Sequence, residues 1–138
     1  VCERIDHAAR LGTVVLTLTG GEPLMHPQLD QLVARVASHG VVCTTITNGF
    51  LLSREWIRRL NDAGLSFLQI SVDTYRANGV SQKCWTYVRP RLELLKAHAR
   101  FGVNVNAVVG AGEPDEVRQV AREVRPRPGQ SAAHSADG

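Results

Sequence analysis

The residues best suited to do chemistry in this chain are Gly20-Gly21-Glu22-Pro23. Two consecutive glycines let backbone groups approach a ligand with no Cβ in the way. The carboxylate of Glu22 can accept a charge-assisted hydrogen bond from an ammonium group. Pro23 fixes its own φ and biases Glu22 toward an extended conformation. Together these describe an edge that grips an α-amino group. A phosphate cradle is disfavoured: Glu22 would repel phosphate, and neither a lysine nor G-x-G-x-x-G spacing is at hand.

A second set of polar residues falls at the ends of later β-rich runs: Thr47-Asn48-Gly49, then Ser71 and Asp73, then Asn104 and Asn106. Plainer roles stay open for some of them. Ser71 and Asp73 can cap the segment that follows, and Asn48-Gly49 can simply be a turn.

The elements that must position these residues repeat one grammar four times: an amphipathic helix, a glycine, a short β-rich run. Residues 2–11 read as a helix closed by Gly12, followed by a strand over 13–19. Pro27 suits a first helical turn, and Leu29, Leu32, Val33 and Val36 share one face, ending at Gly40. A strand over 41–47 follows. Ser53 is an N-cap with Glu55 in the first turn, and Trp56, Ile57, Leu60 and Ala63 form the buried stripe before Gly64. The strand 67–73 comes next, and a longer connection leads to Leu92, Leu95 and Ala99, then Gly102 and the strand 103–109. Pro114 opens a last helix through Val124, which Pro126 ends.

Alternating strands and helices with glycine C-caps predict βα units and a parallel sheet. Strands covered by helices on both faces should be continuously apolar, and these are not. Alternation groups Thr17 with Thr19, Thr45 with Thr47, Gln69 with Ser71 and Asp73, and Asn104 with Asn106. The opposite faces carry Leu16 and Leu18, Val42 and Ile46, Leu68, Ile70 and Val72, and Val103, Val105 and Ala107. Burying the polar set without partners would cost about 1–3 kcal/mol per group. A curved sheet with helices outside and a polar cavity inside accommodates both faces. The polar residues crowd toward the C-terminal strand ends, where α/β folds place their sites.

Leu18-Thr19-Gly20-Gly21-Glu22-Pro23-Leu24 resembles the GGEP motif of the radical SAM enzymes, and the resemblance continues through Thr47-Asn48-Gly49, residues 69–73 and residues 104–110. It implies a parallel-stranded partial (β/α)6 barrel, incomplete here at about four βα units, occupying residues 1–125. It implies binding of S-adenosylmethionine, with Gly20, Gly21, Glu22 and Pro23 at the methionyl end. Ser71 and Asp73 become candidates for the ribose and carboxylate, and Thr47, Asn48 and Asn106 would line the cofactor or substrate space. It further implies a [4Fe-4S] cluster in the intact protein, a 5′-deoxyadenosyl radical that abstracts hydrogen from a substrate, and a flavodoxin or ferredoxin electron donor.

The family's CxxxCxxC loop has no counterpart in this sequence. Cys2, Cys43 and Cys84 are far apart, whereas Fe–S ligands come as short runs on one loop. No metal ligands are therefore assigned here, to these cysteines or to His7, His26 and His39. An enzyme whose cluster ligands are encoded upstream and a degenerate binding module without radical chemistry both stay open. A CxxxCxxC encoded in frame just upstream would separate them.

Bulk properties agree with this reading. The formal charge of +3 is spread over arginines rather than gathered in a stripe, which argues against a nucleic-acid surface. No apolar run has the length of a membrane span. An odd number of scattered cysteines suits a reducing cytoplasm. The start lacks Met and opens in a helical pattern, as expected of a piece of something longer. Residues 126–138 lose all periodicity and read as a disordered or aberrant tail.

Overall fold

In the computed structural model, the described residues are 1–75, 83–107 and 114–124. The chain alternates helix and strand: α1 (Cys2–Arg10), β1 (Val15–Leu18), α2 (Leu29–Ser38), β2 (Val42–Thr47), α3 (Arg54–Ala63), β3 (Phe67–Val72), α4 (Trp85–His98), β4 (Gly102–Ala107) and α5 (Pro114–Val124). The four strands form one sheet in the order β1-β2-β3-β4, every pair parallel. This is the expected run of βα units. The expected tail and the last residues of the fourth strand (108 and 109) lie outside the described residues.

One face of the sheet is packed and the other is open. Cys43, Leu68, Ile70 and Val72 are buried beneath Val33 and Val36 of α2, Ile57 and Leu60 of α3, and Val88 and Leu95 of α4, all in one apolar cluster. Burying side chains of this size contributes about 1.5–3 kcal/mol each. The helices lie side by side along that face, tied by ion pairs at the outer surface. Arg35 donates to both carboxylate oxygens of Asp6 at 2.8 and 2.9 Å, joining α2 to α1. Arg59 donates to Asp30 at 2.7 and 3.0 Å and to the Pro27 carbonyl, joining α3 to α2. An arc of parallel strands with helices on one side only is a segment of a (β/α) barrel, not a doubly wound sheet.

Register corrects the faces expected for β2. Thr17 pairs with Thr44, and Ile46 with Gln69, which in turn pairs with Asn104. Thr44 and Ile46 therefore stand on the open face, while Thr45 and Thr47 lie on the packed face at 0% and 2% exposure. The sequence of this strand is ambiguous because a threonine is tolerated in a core once its hydroxyl is bonded. Both are bonded: Thr45 Oγ1 donates to the Leu18 carbonyl at 2.9 Å, and Thr47 Oγ1 to Glu22 at 2.5 Å.

The fourth helix also differs from expectation. It begins at Trp85 rather than near Leu92 and runs through Pro90. A proline there removes one helical N–H donor and crowds the preceding turn, so residue pattern alone does not announce the first half of α4.

Candidate functional site at the C-terminal rim

Parallel strands place all their C-terminal ends on one rim, and the predicted site residues come together there from four strands. Gly20, Gly21 and Glu22 follow β1, Thr47 ends β2 with Asn48 just past it, Ser71 lies near the end of β3 with Asp73 just past it, and Asn106 sits near the end of β4. Ser71 and Asn106 are direct cross-strand partners on the open face. Below them that face continues as a hollow lined by Thr17, Thr44, Ile46, Phe67, Gln69 and Asn104.

The first rim turn is shaped by its glycines. Gly20 has φ +129°, a conformation that a residue with a side chain rarely adopts, and a Cβ added at Gly20 or Gly21 would meet no atom within 4 Å. Both residues are exposed. Among the described residues, no donor bonds the backbone carbonyls of Thr19, Gly20 or Gly21. The turn therefore presents open space and unbonded backbone groups, the carbonyls of residues 19–21 and equally the Gly20, Gly21 and Glu22 N–H groups. Pro23 then starts a single 3-10 turn, Pro23–Met25, and is itself buried.

Glu22 behaves differently from its neighbours. Its carboxylate is directed into the protein, where Oε1 accepts from the Leu24 N–H at 3.1 Å and from Thr47 Oγ1 at 2.5 Å, while Oε2 accepts from the Asn48 N–H at 2.9 Å. Three donors from two rim turns thus converge on one side chain. The turn after β2 is closed by its own side chains: Thr47 Oγ1 accepts from the Gly49 N–H at 3.0 Å and Asn48 Oδ1 from the Phe50 N–H at 2.9 Å. Gly49 has φ +78°, and a Cβ there would lie 2.5 Å from Ile70 Cδ1. Asn48 is the Asx turn that the plain reading allowed, and Thr47 faces the packed side rather than the hollow.

The other half of the rim is open. Among the described residues, the side chains of Gln69, Ser71, Asn104 and Asn106 make no hydrogen bond to the protein, and water or a ligand must serve them. Asp73 lies just past β3, where its N–H donates to the Lys83 carbonyl at 2.8 Å and its carboxylate stands 3.9 Å from Lys83 Nζ.

Sequence reasoning missed the brace behind the second turn. Phe50 meets the Tyr87 ring edge-on at 4.6 Å, and Arg91 lies 3.9 Å over the Tyr87 ring and donates to its hydroxyl at 2.6 Å. The signal was an i,i+4 pair on one helix, invisible once the helix was expected to start after it.

The three cysteines sit on three separate elements. Cys2 is exposed at the start of α1, Cys43 is buried inside β2, and Cys84 is buried just before α4. Burial pushes the Cys43 thiol up to about 11, away from the thiolate needed to ligate iron. Among the described residues no three His, Cys, Asp or Glu side chains are grouped to hold a metal, and no helix is long and apolar enough to cross a membrane.

A family model described as Radical SAM superfamily matches residues 1–124. The GTP 3′,8-cyclase of Acidothermus cellulolyticus is 34% identical over 126 residues, covering 84% of this chain and 34% of that protein. The Helicobacter pylori protein of the same name is 32% identical over 123 residues, covering 84% and 37%. A probable GTP 3′,8-cyclase of Pyrobaculum aerophilum is 44% identical over 64 residues, 46% of this chain and 20% of that protein. The chain thus spans well under half the length of these relatives. Among solved structures, Streptococcus suis SuiB aligns with a TM-score of 0.65 at 19% identity, over 87% of this chain and 29% of that one. BtrN in complex with AdoMet and 2-DOIA aligns at 0.53 and 17% identity, over 75% and 40%. At these identities the two structures speak for the fold alone.

Proposed function

The chain belongs to the radical SAM superfamily, and from that membership we propose that its C-terminal rim binds S-adenosylmethionine, with the methionyl end at Gly20, Gly21, Glu22 and Pro23. The observation that carries this reading is the exposed Gly20-Gly21 turn, which has no atom within 4 Å of either Cβ direction and unused backbone acceptors beside it. Such acceptors suit an ammonium group, and the Glu22 charge next to them favours a cation. Ser71, Asp73 and Asn106 supply hydroxyl, carboxylate and amide groups for the ribose and carboxylate, while Thr47 and Asn48 form the neighbouring turn.

The family's proteins use S-adenosylmethionine together with a [4Fe-4S] cluster. The thiols of this chain do not fit a cluster, being on three elements with Cys43 buried and its thiol pushed up to about 11. We therefore assign this chain the methionyl half of the site. In the intact protein, with cluster ligands other than these cysteines, the reading is hydrogen abstraction from a substrate, with flavodoxin or ferredoxin as electron donor. The relatives' names include a GTP cyclase, a PqqA peptide cyclase and an Fe-coproporphyrin III synthase, so the substrate is left unassigned. The dispersed thiols favour a second reading as well, a module that binds S-adenosylmethionine without radical chemistry.

Titration calorimetry of the chain with S-adenosylmethionine tests the shared part of both readings. Saturable one-to-one binding is expected, lost on Gly21→Val, whose side chain would fill the approach to the turn. Heat indistinguishable from dilution would refute it.

A further inference from the structure

The direction of the Glu22 carboxylate points to a role that its charge alone does not suggest. A group meant chiefly to contact an ammonium ion would keep its oxygens toward the open turn. Here both oxygens are engaged from within: two bonds come from the turn after β2, through Thr47 Oγ1 and the Asn48 N–H, and one comes from Leu24 in its own turn. Thr47 is 2% exposed and cannot reach a ligand on the open face. Its hydroxyl donates to Glu22 and accepts from the Gly49 N–H, so it couples the two rim turns in one chain of hydrogen bonds.

Resting on the binding reading above, we propose that Thr47 is a positioning residue for the methionyl site. It acts through Glu22: the second rim turn fixes the carboxylate, and the carboxylate fixes the backbone of the Gly20-Gly21 turn that faces the ligand. Recognition of the ammonium end then falls to the unused carbonyls of residues 19–21, oriented from behind by a side chain that never touches the ligand. A flexible Gly-Gly pair has many conformers to lose on binding, and holding it in place beforehand is how such a link raises affinity.

Three variants and two ligands test this. Thr47→Val keeps the shape and removes the hydroxyl, Thr47→Ser restores it, and Glu22→Asp keeps the charge but shortens its reach by one methylene. Thr45→Val, two residues away and equally buried, is the comparator. S-adenosylmethionine is compared with 5′-methylthioadenosine, which lacks the amino and carboxylate groups. Thr47→Val and Glu22→Asp are expected to weaken S-adenosylmethionine about tenfold, the scale of one charge-assisted hydrogen bond. Neither should change 5′-methylthioadenosine, and Thr47→Ser should bind both like wild type. Loss of both ligands together, or a Glu22→Asp protein that binds S-adenosylmethionine like wild type, would overturn the proposal.

Hydrogen exchange decides the matter without any ligand. Thr47→Val should speed exchange at the Leu24 amide, which Thr47 does not bond, and Glu22→Asp should do the same at Asn48, each by about tenfold, with Thr45→Val silent. Unchanged exchange at Leu24 and Asn48 would overturn the link between the turns. A wild-type chain that fails to bind S-adenosylmethionine would refute the binding reading, while the exchange result would still decide the coupling.

Discussion

The two halves of the rim use polar groups in opposite ways. Between β1 and β2, the polar atoms bond one another: Glu22, Thr47, Asn48 and Gly49 close a network, and the backbone groups of the Gly20-Gly21 turn beside it are left unbonded among the described residues. Between β3 and β4, Ser71 and Asn106 stand side by side with no protein partner among the described residues. One half closes its side chains on one another, and the other leaves those of Ser71 and Asn106 open. The same residue types serve both, and what separates them is whether a donor and an acceptor meet inside the fold.

The largest break in this contrast should come from Gly49. Gly49→Ala places a Cβ 2.5 Å from Ile70 Cδ1 at φ +78°, which combines left-handed strain with overpacking. A loss of about 2–4 kcal/mol is expected in urea unfolding, with the network between the turns disrupted. The open half should respond in the other currency. Ser71→Ala with Asn106→Ala should change stability by no more than about 0.5 kcal/mol, yet weaken S-adenosylmethionine about tenfold by calorimetry, as two neutral hydrogen bonds are removed.

Thr45→Val sharpens the contrast further. It removes a buried bond to the Leu18 carbonyl and should cost about 1 kcal/mol in the same unfolding assay, with ligand affinity unchanged. The smallest effect lies outside both halves. The hydrogen bonds from Arg35 and then His39 hold the Asp6 carboxyl well below its usual range. A depressed carboxylate stabilises the fold above its unfolded pKa and loses that contribution as pH falls toward the folded value. Wild type should therefore lose more stability than Asp6→Asn as pH drops below about 4, with ligand binding unaffected.

Much of this was legible in the sequence, for reasons that particular residues make plain. Gly12, Gly40 and Gly64, each at positive φ, end the first three helices, and Ser53 caps α3 by accepting from the Trp56 N–H. Local chemistry of this kind is carried by one or two residues. The parallel sheet followed from their alternation with β-rich runs. The faces of β2 were not legible, because Thr44, Thr45 and Thr47 suit either side and only tertiary partners decide. The inward turn of Glu22 was hidden for the same reason, since its donors lie 25 and 26 residues away. The start of α4 was masked by Pro90, and with it the Tyr87–Arg91 brace.

The central claim is that S-adenosylmethionine seats its methionyl end on the first rim turn and extends toward the open half. Nitrogen-15 amide NMR of the chain, titrated with S-adenosylmethionine, reads this residue by residue. The account predicts saturating shifts at Gly20, Gly21, Ser71 and Asn106, with those at Gly20 and Gly21 absent when 5′-methylthioadenosine replaces it. Shifts confined to the helix-covered side, or a Gly20-Gly21 turn that responds equally to both ligands, would contradict it.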